Sequence, residues 1–164
     1  MSTEGPTHAD DPDRQADAVM RAARVLMGVV AQSVAEVEGQ VSLPQLRVLV
    51  LVADRRRMNL GQVAEVLGVH PSNATRIVER LVVAGLLHRT DDPEDRRYLA
   101  LELTAEGHDI VARVMAHRRA SIQAVMANMT SPQRRTIARA LATFAEAAGE
   151  PPHGEEAYLL GLRA

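Results

Sequence analysis

The chain has 164 residues, of which 46% are hydrophobic and only 2% aromatic, and it carries a formal charge of −2. That length and apolar content suit one folded domain, or one lobe with an attached layer, and exclude a chain that is disordered for most of its length. With no cysteine in the sequence, disulfides, thiolate metal sites and thiol redox sensing are excluded as well.

The near-absence of aromatic residues calls for a core of Val, Leu, Ile, Ala and Met, which suits helix-on-helix packing. The net charge hides an uneven distribution. Residues 1–17 hold five acids against one Arg, and residues 146–164 four acids against one Arg. Residues 42–104 hold nine Arg against eight acids, and residues 105–145 six against two. Acid sits in the tails while the middle is neutral to basic, which leaves a nucleic-acid partner open. All 19 basic residues are Arg, a preference that a GC-rich coding bias explains as well as function does. No leader-like segment opens the chain, and apolar runs such as Val25 to Ala31 are too short to span a bilayer, so the expectation is a cytoplasmic protein.

In chain order, residues 1–12 are rich in Gly, Pro, Asp, Ser and Thr and are expected to be a disordered tail. Val19, Ala22, Leu26, Val30, Val34 and Val37 recur at three- and four-residue steps and predict a helix from Asp13 to Glu38, ended by Gly39. Ser42 with Gln45 reads as a capping box for a helix to Asp54. That helix is almost wholly apolar from Val48 to Ala53, so it should be buried on most sides; Arg55, Arg56 and Arg57 close it. Asn59 predicts an N-cap for a short helix Leu60–Leu67, Gly68 and Val69 a turn, and Pro71 the first residue of a helix to Ala84, stopped by Gly85.

Leu86 to Thr90 reads as a strand, residues 91–95 as a polar turn, and Arg97 to Leu103 as a returning strand with Leu99, Leu101 and Leu103 on one face. Thr104 caps a long helix to Met129, and Ser131 and Pro132 start another that ends at Ala148 before Pro151 and Pro152. Residues 149–164 form a tail in which Tyr158, Leu159, Leu160 and Leu162 could dock as one more turn. The fold class expected is mainly α with one small β-hairpin.

The segment Leu60 to Val78 carries the functional signal. Val63, Ala64, Leu67, Val69, Ala74 and Ile77 are apolar where two short helices must touch, and Gly68 supplies the left-handed turn. Pro71, Ser72, Asn73, Thr75 and Arg76 remain on the outward face at the start of the second helix. This is the pattern of a helix-turn-helix, whose second helix offers its N-terminal residues to the major groove. Asn can pair bidentately with adenine and Arg with guanine, so Asn73 and Arg76 are candidate base readers. Ser72 and Thr75 could bond phosphate or base, and Arg80, one turn on, a phosphate. The hairpin that follows would be a wing whose Arg96 and Arg97 reach phosphate or the minor groove, with Asp95 holding Arg97 by a charge-assisted bond.

Together these residues resemble the MarR family of bacterial transcriptional regulators over about residues 13–148. The carriers are Ser42 to Leu46, Leu60 to Val69, Pro71 to Leu81, Gly85 to Leu87 with Arg89, and Asp92 to Arg97 followed by Leu101 to Gly107. The resemblance implies a winged helix-turn-helix DNA-binding lobe at 42–104 and a helical dimerisation region at 13–41 and 105–148. It also implies a homodimer on a pseudo-palindromic operator, and release by a small, often phenolic, effector bound between lobe and dimer layer. On the family's wing pattern Asp95 orients Arg97 into the minor groove. The family's oxidation-sensing branch needs a cysteine this chain lacks. His108 and His117 are nine residues apart, which is not an i, i+4 ligand pair, so surface histidines are preferred to a metal sensor. His70 and His88, within the lobe, could add a modest pH dependence.

No Gly-rich phosphate loop, paired nucleophile and base, or clustered ligand set is present, so neither an enzyme nor a cofactor is expected. The seven Met residues could line a plastic pocket, but Met at helical spacing is more often core. The competing reading is a winged-helix module that docks protein, which the near-neutral charge of residues 42–104 keeps in play.

Overall fold

The computed structural model describes residues 11–55, 58–91 and 99–149. The first helix, α1, spans Pro12–Ala35, with Asp11 as its N-cap accepting from the Asp13 N–H. It stops three residues before the predicted Glu38. There the chain tightens into turns, with the Val37 N–H bonded to the Val34 carbonyl at 3.2 Å, and Gly39 takes φ 87°. The early stop lets Val37 drop into the core, where it is fully buried, followed by Val41.

Helix α2, Leu43–Arg55, is the centre of the molecule. Leu46 and the run Val48–Val52 are all buried, so the helix is enclosed on every side, as its unbroken apolar stretch requires. The Gln45 side chain turns back to accept from the Ser42 N–H at 2.8 Å and the Ser42 hydroxyl at 2.9 Å, which is the returning half of a capping box. Arg56 and Arg57 lie outside the described residues.

Helices α3, Leu60–Leu67, and α4, Pro71–Val83, pack on α2 through Val63, Ala64, Ala74, Val78 and Leu81, all buried. Strands β1, Leu87–Asp91, and β2, Leu99–Leu103, pair antiparallel, with Leu87 opposite Leu103 and Asp91 opposite Leu99. The expected inward row of three leucines holds for Leu101 and Leu103, but Leu99 is 51% exposed and Ala100 is buried instead. The middle of β2 is tied down by the Leu101 N–H, which donates to the Met58 carbonyl at 2.8 Å. Leu99 sits at the far end of the ladder, past the reach of the lobe.

Helices α5, Ala105–Ala127, and α6, Ser131–Ala147, complete the described chain. The start of α5 is interlocked with the end of α4. The Thr104 hydroxyl donates to the Gly85 carbonyl at 2.7 Å and accepts from the Gly107 N–H at 3.1 Å. The Thr104 N–H in turn donates to the Leu86 carbonyl at 3.2 Å.

Helix α1 lies along α5 through a polar seam. Arg118 is buried, and its Nε donates to Ser33 Oγ at 2.7 Å, while Ser33 donates to the Val30 carbonyl. Loss of solvent lowers the pKa of that guanidinium. Arg113 donates to Gln40 at 2.6 Å, and His117 meets Glu36 at 3.3 Å.

The outer helices are covered less. Helix α6 buries none of its residues, and Phe144 is 56% exposed. Helix α1 leaves Val19, Met20, Val25, Leu26 and Met27 open. It is long and apolar enough to cross a membrane by length and mean hydropathy (1.3), with 11% of that stretch buried. The expectation that no segment is long enough therefore applies only to uninterrupted apolar runs: here Arg21 and Arg24 break the apolar stripe.

A Cβ added at Gly107 would overlap the Leu86 carbonyl, and backbone cannot swing aside as a side chain can. Gly107→Ala should lower stability by about 1–3 kcal/mol, the usual cost of overpacking. The midpoint of urea unfolding measures it; an unchanged midpoint would mean that the interlock is loose.

Candidate nucleic-acid interface

The α3–α4 pair is fixed by local chemistry before packing adds to it. Asn59 Oδ1 accepts from the Gln62 N–H and Gln62 Oε1 accepts from the Asn59 N–H, both at 2.9 Å, a complete capping box. Gly68 ends α3 at φ 62°, a left-handed conformation that glycine adopts without strain. The N–H of Val69 closes back on the Ala64 carbonyl at 3.1 Å. Pro71 then sits at the first position of α4, where a missing N–H costs nothing.

His70, extended at φ −61° and ψ 141°, is the N-cap of α4. Its Nδ1 lies 2.9 Å from Ser72 Oγ and accepts a long bond from the Ser72 N–H at 3.4 Å. Thr75 Oγ1 donates to the Pro71 carbonyl at 2.9 Å. A threonine hydroxyl has one proton, so outward it offers only lone pairs. Arg76 Nη2 donates to Asn73 Oδ1 at 2.7 Å. Pro71, Ser72, Asn73, Arg76 and Arg80 are exposed, and Thr75 is half-buried.

Asn73, Arg76 and Arg80 recur at three and four residues and so share one face of α4. That face borders a cleft of about 350 Å³ whose other wall is the start of α2, with Ser42, Gln45 and Arg47. Among the described residues three guanidiniums and no carboxylate line the cleft, which favours an anion there although the lobe as a whole is nearly neutral. The Nε of Arg47 is buried there without a hydrogen-bond partner among the described residues.

The structure thus brings Pro71, Ser72, Asn73, Thr75, Arg76 and Arg80 onto the start and outward side of one helix. Asp95, Arg96 and Arg97 lie outside the described residues. Two participants escaped sequence reasoning. Arg47 had a signal, being the one charged side chain between Leu46 and Val48 in an apolar helix. His70 as a cap had none, because histidine is not a usual N-cap. His88 pairs across the hairpin with Glu102 at 3.4 Å, and the described residues hold no cluster of three metal-ligating side chains.

Comparison with known proteins gives the same segment. The model of the MarR family matches residues 41–99. The HTH-type transcriptional repressor MdtR of Bacillus subtilis is 32% identical over 63% of this chain and 67% of its own length. The uncharacterized HTH-type transcriptional regulator YfiV of the same organism is 33% identical over 42% of this chain, which spans only 43% of that relative. The crystal structure of RV1404 from Mycobacterium tuberculosis is 38% identical, covers 89% of this chain and 100% of its own, and superposes with a TM-score of 0.77.

Because α4 rests on α3, the capping box should be felt in the stability of the lobe. Asn59→Ala should cost about 1 kcal/mol, the usual value of an N-cap, visible as a lower thermal midpoint.

Proposed function

The chain belongs to the MarR family, and on that premise we propose that it is a cytoplasmic transcriptional repressor that binds a pseudo-palindromic operator as a homodimer. The observation that carries this reading is the cleft beside α4, lined by Asn73, Arg76 and Arg80 together with Arg47 and by no carboxylate among the described residues. A 13-residue helix opened by Pro71 carries a partial positive charge at its N-terminus, which favours a phosphate beside the base-reading side chains. Ser72 lies at that terminus, and Thr75 supplies acceptors to base amino groups. Asp95, Arg96 and Arg97 extend the contact from the wing, with Asp95 orienting Arg97 in the minor groove.

Dimerisation uses residues 13–41 and 105–148, with residues 42–104 as the DNA-binding lobe and residues 1–12 and 149–164 as tails. The support is the apolar surface left open on α1, the end of α5 and α6, including Met27, Val125, Leu141 and Phe144. Exposed large apolar side chains, where they adjoin, mark an interaction site. A small effector, phenolic by family analogy, enters between lobe and dimer layer and releases the operator. A recess lined by Gln40, Leu86, Ile110 and Arg113 lies at that junction. No catalysis or cofactor is part of this reading.

The near-neutral lobe also fits a winged-helix module that docks protein, and salt separates the two. Operator affinity should fall steeply between 50 and 200 mM salt, because each neutralised phosphate releases counterions. Arg76→Ala should cost about 1–3 kcal/mol and relax the sequence preference at one base pair. Binding that ignores salt and sequence would favour the protein-docking module.

Phe144→Asp places a charge on the open face of α6. The expected result is a shift from dimer to monomer in sedimentation, with loss of operator binding at micromolar protein. A variant that remains dimeric would move the interface elsewhere.

A further inference from the structure

We infer that Asn73 is a positioning residue for Arg76 rather than an independent adenine reader, so that the two side chains act as one guanine-reading unit. The inference rests on the proposed DNA-binding role of α4 and names how its specificity is set. Arginine carries only donors, so the Asn73 atom facing Arg76 Nη2 at 2.7 Å must be Oδ1, and the amide is oriented by that contact. Pairing an adenine would need Oδ1 and Nδ2 of an amide free to rotate onto one base edge. Here Oδ1 is engaged by a cation, and such charge-assisted bonds are about twice as strong as neutral ones.

The gain is on the arginine side. Both residues are exposed, and an unrestrained arginine has many rotamers to lose on binding. A bond to the residue three positions earlier on the same helix holds the guanidinium beside its own helix axis before DNA arrives. Only one of the five guanidinium N–H donors is used, which leaves a parallel pair for guanine O6 and N7. Asn73 Nδ2 faces away from Arg76 and remains a donor to an acceptor alongside, such as a phosphate oxygen.

The test is selection from random double-stranded DNA by the full-length protein and its variants, followed by affinities for all four bases at each selected position. Arg76→Ala identifies the guanine position, where preference should fall roughly tenfold or more. Asn73→Ala should weaken preference at that same position by about threefold or more, and should add nothing in the Arg76→Ala background. Asn73→Asp keeps an acceptor for Arg76, so it should retain the guanine preference while binding more weakly overall, because of its charge. If Asn73→Ala instead erases an adenine preference at a different position and leaves guanine intact, or changes no preference, the positioning role is overturned. Should Asn73→Ala fail to fold, as judged by circular dichroism, Asn73→Asp alone decides, since a direct adenine reader loses its donor in that variant. A wild-type protein that selects no sequence at all would sink the DNA-binding reading itself, a distinct result.

Discussion

The complete enclosure of α2 is the constraint on which the rest depends. Five consecutive residues, Val48 to Val52, are buried, and a helix can hide five in a row only if other elements cover every side of it. Helices α3 and α4, the hairpin and α5 are those covers. Each therefore has its inward face fixed by α2 and its outward face fixed by default. The polar stripe of α4 is outward because Ala74, Val78 and Leu81 must be inward. Exposure of Asn73, Arg76 and Arg80 is thus a consequence of core packing.

Arg47 shows how that constraint also shapes the site. As the charged residue next to the apolar run of α2, it emerges where α2 begins, and that is where α4 passes. The guanidinium stem is held in the half-buried cleft beside Arg76 and Arg80. Three guanidiniums line that cleft with no carboxylate among the described residues, an arrangement suited to an anion. A lobe with nearly balanced charge can therefore attract phosphate at one place without being basic overall.

The sequence made the fold legible where local chemistry and periodicity coincide. Asn59 with Gln62, Gly68 and Pro71 each carry a backbone requirement that only a few residue types meet, and both short helices follow from them. The C-terminal end of α1 and the outer part of β2 were illegible, because they are decided by what tertiary packing can reach: Val37 is pulled into the core, and Leu99 is left beyond it. The Arg118–Ser33 bond joins residues 85 apart, and no period or motif announces such a partner. In the site, residue types pointed to α4, but the pairing of Asn73 with Arg76 needs side-chain conformations, which spacing alone permits without requiring. The wing residues Asp95, Arg96 and Arg97 rest on sequence and resemblance.

The seam between α1 and α5 and the interlock between α5 and α4 form one mechanical path. Arg118 ties α5 to α1, the helix with the open apolar stripe, and Arg113 and His117 tie it to the turn that follows α1. At the other end of α5, Thr104 and Gly107 grip the Gly85–Leu86 backbone directly after α4. In the proposed dimer, a change in how two copies of α1 meet would be passed to α5, which packs along it. Its first turn cannot slide past Leu86, since Gly107 has no clearance there, so α4 must follow. In the proposed dimer, the spacing of the two α4 helices, about one turn of DNA, would be set by contacts far from the bases. On the proposed reading, a ligand wedged between lobe and helical layer would act on that spacing without touching Arg76.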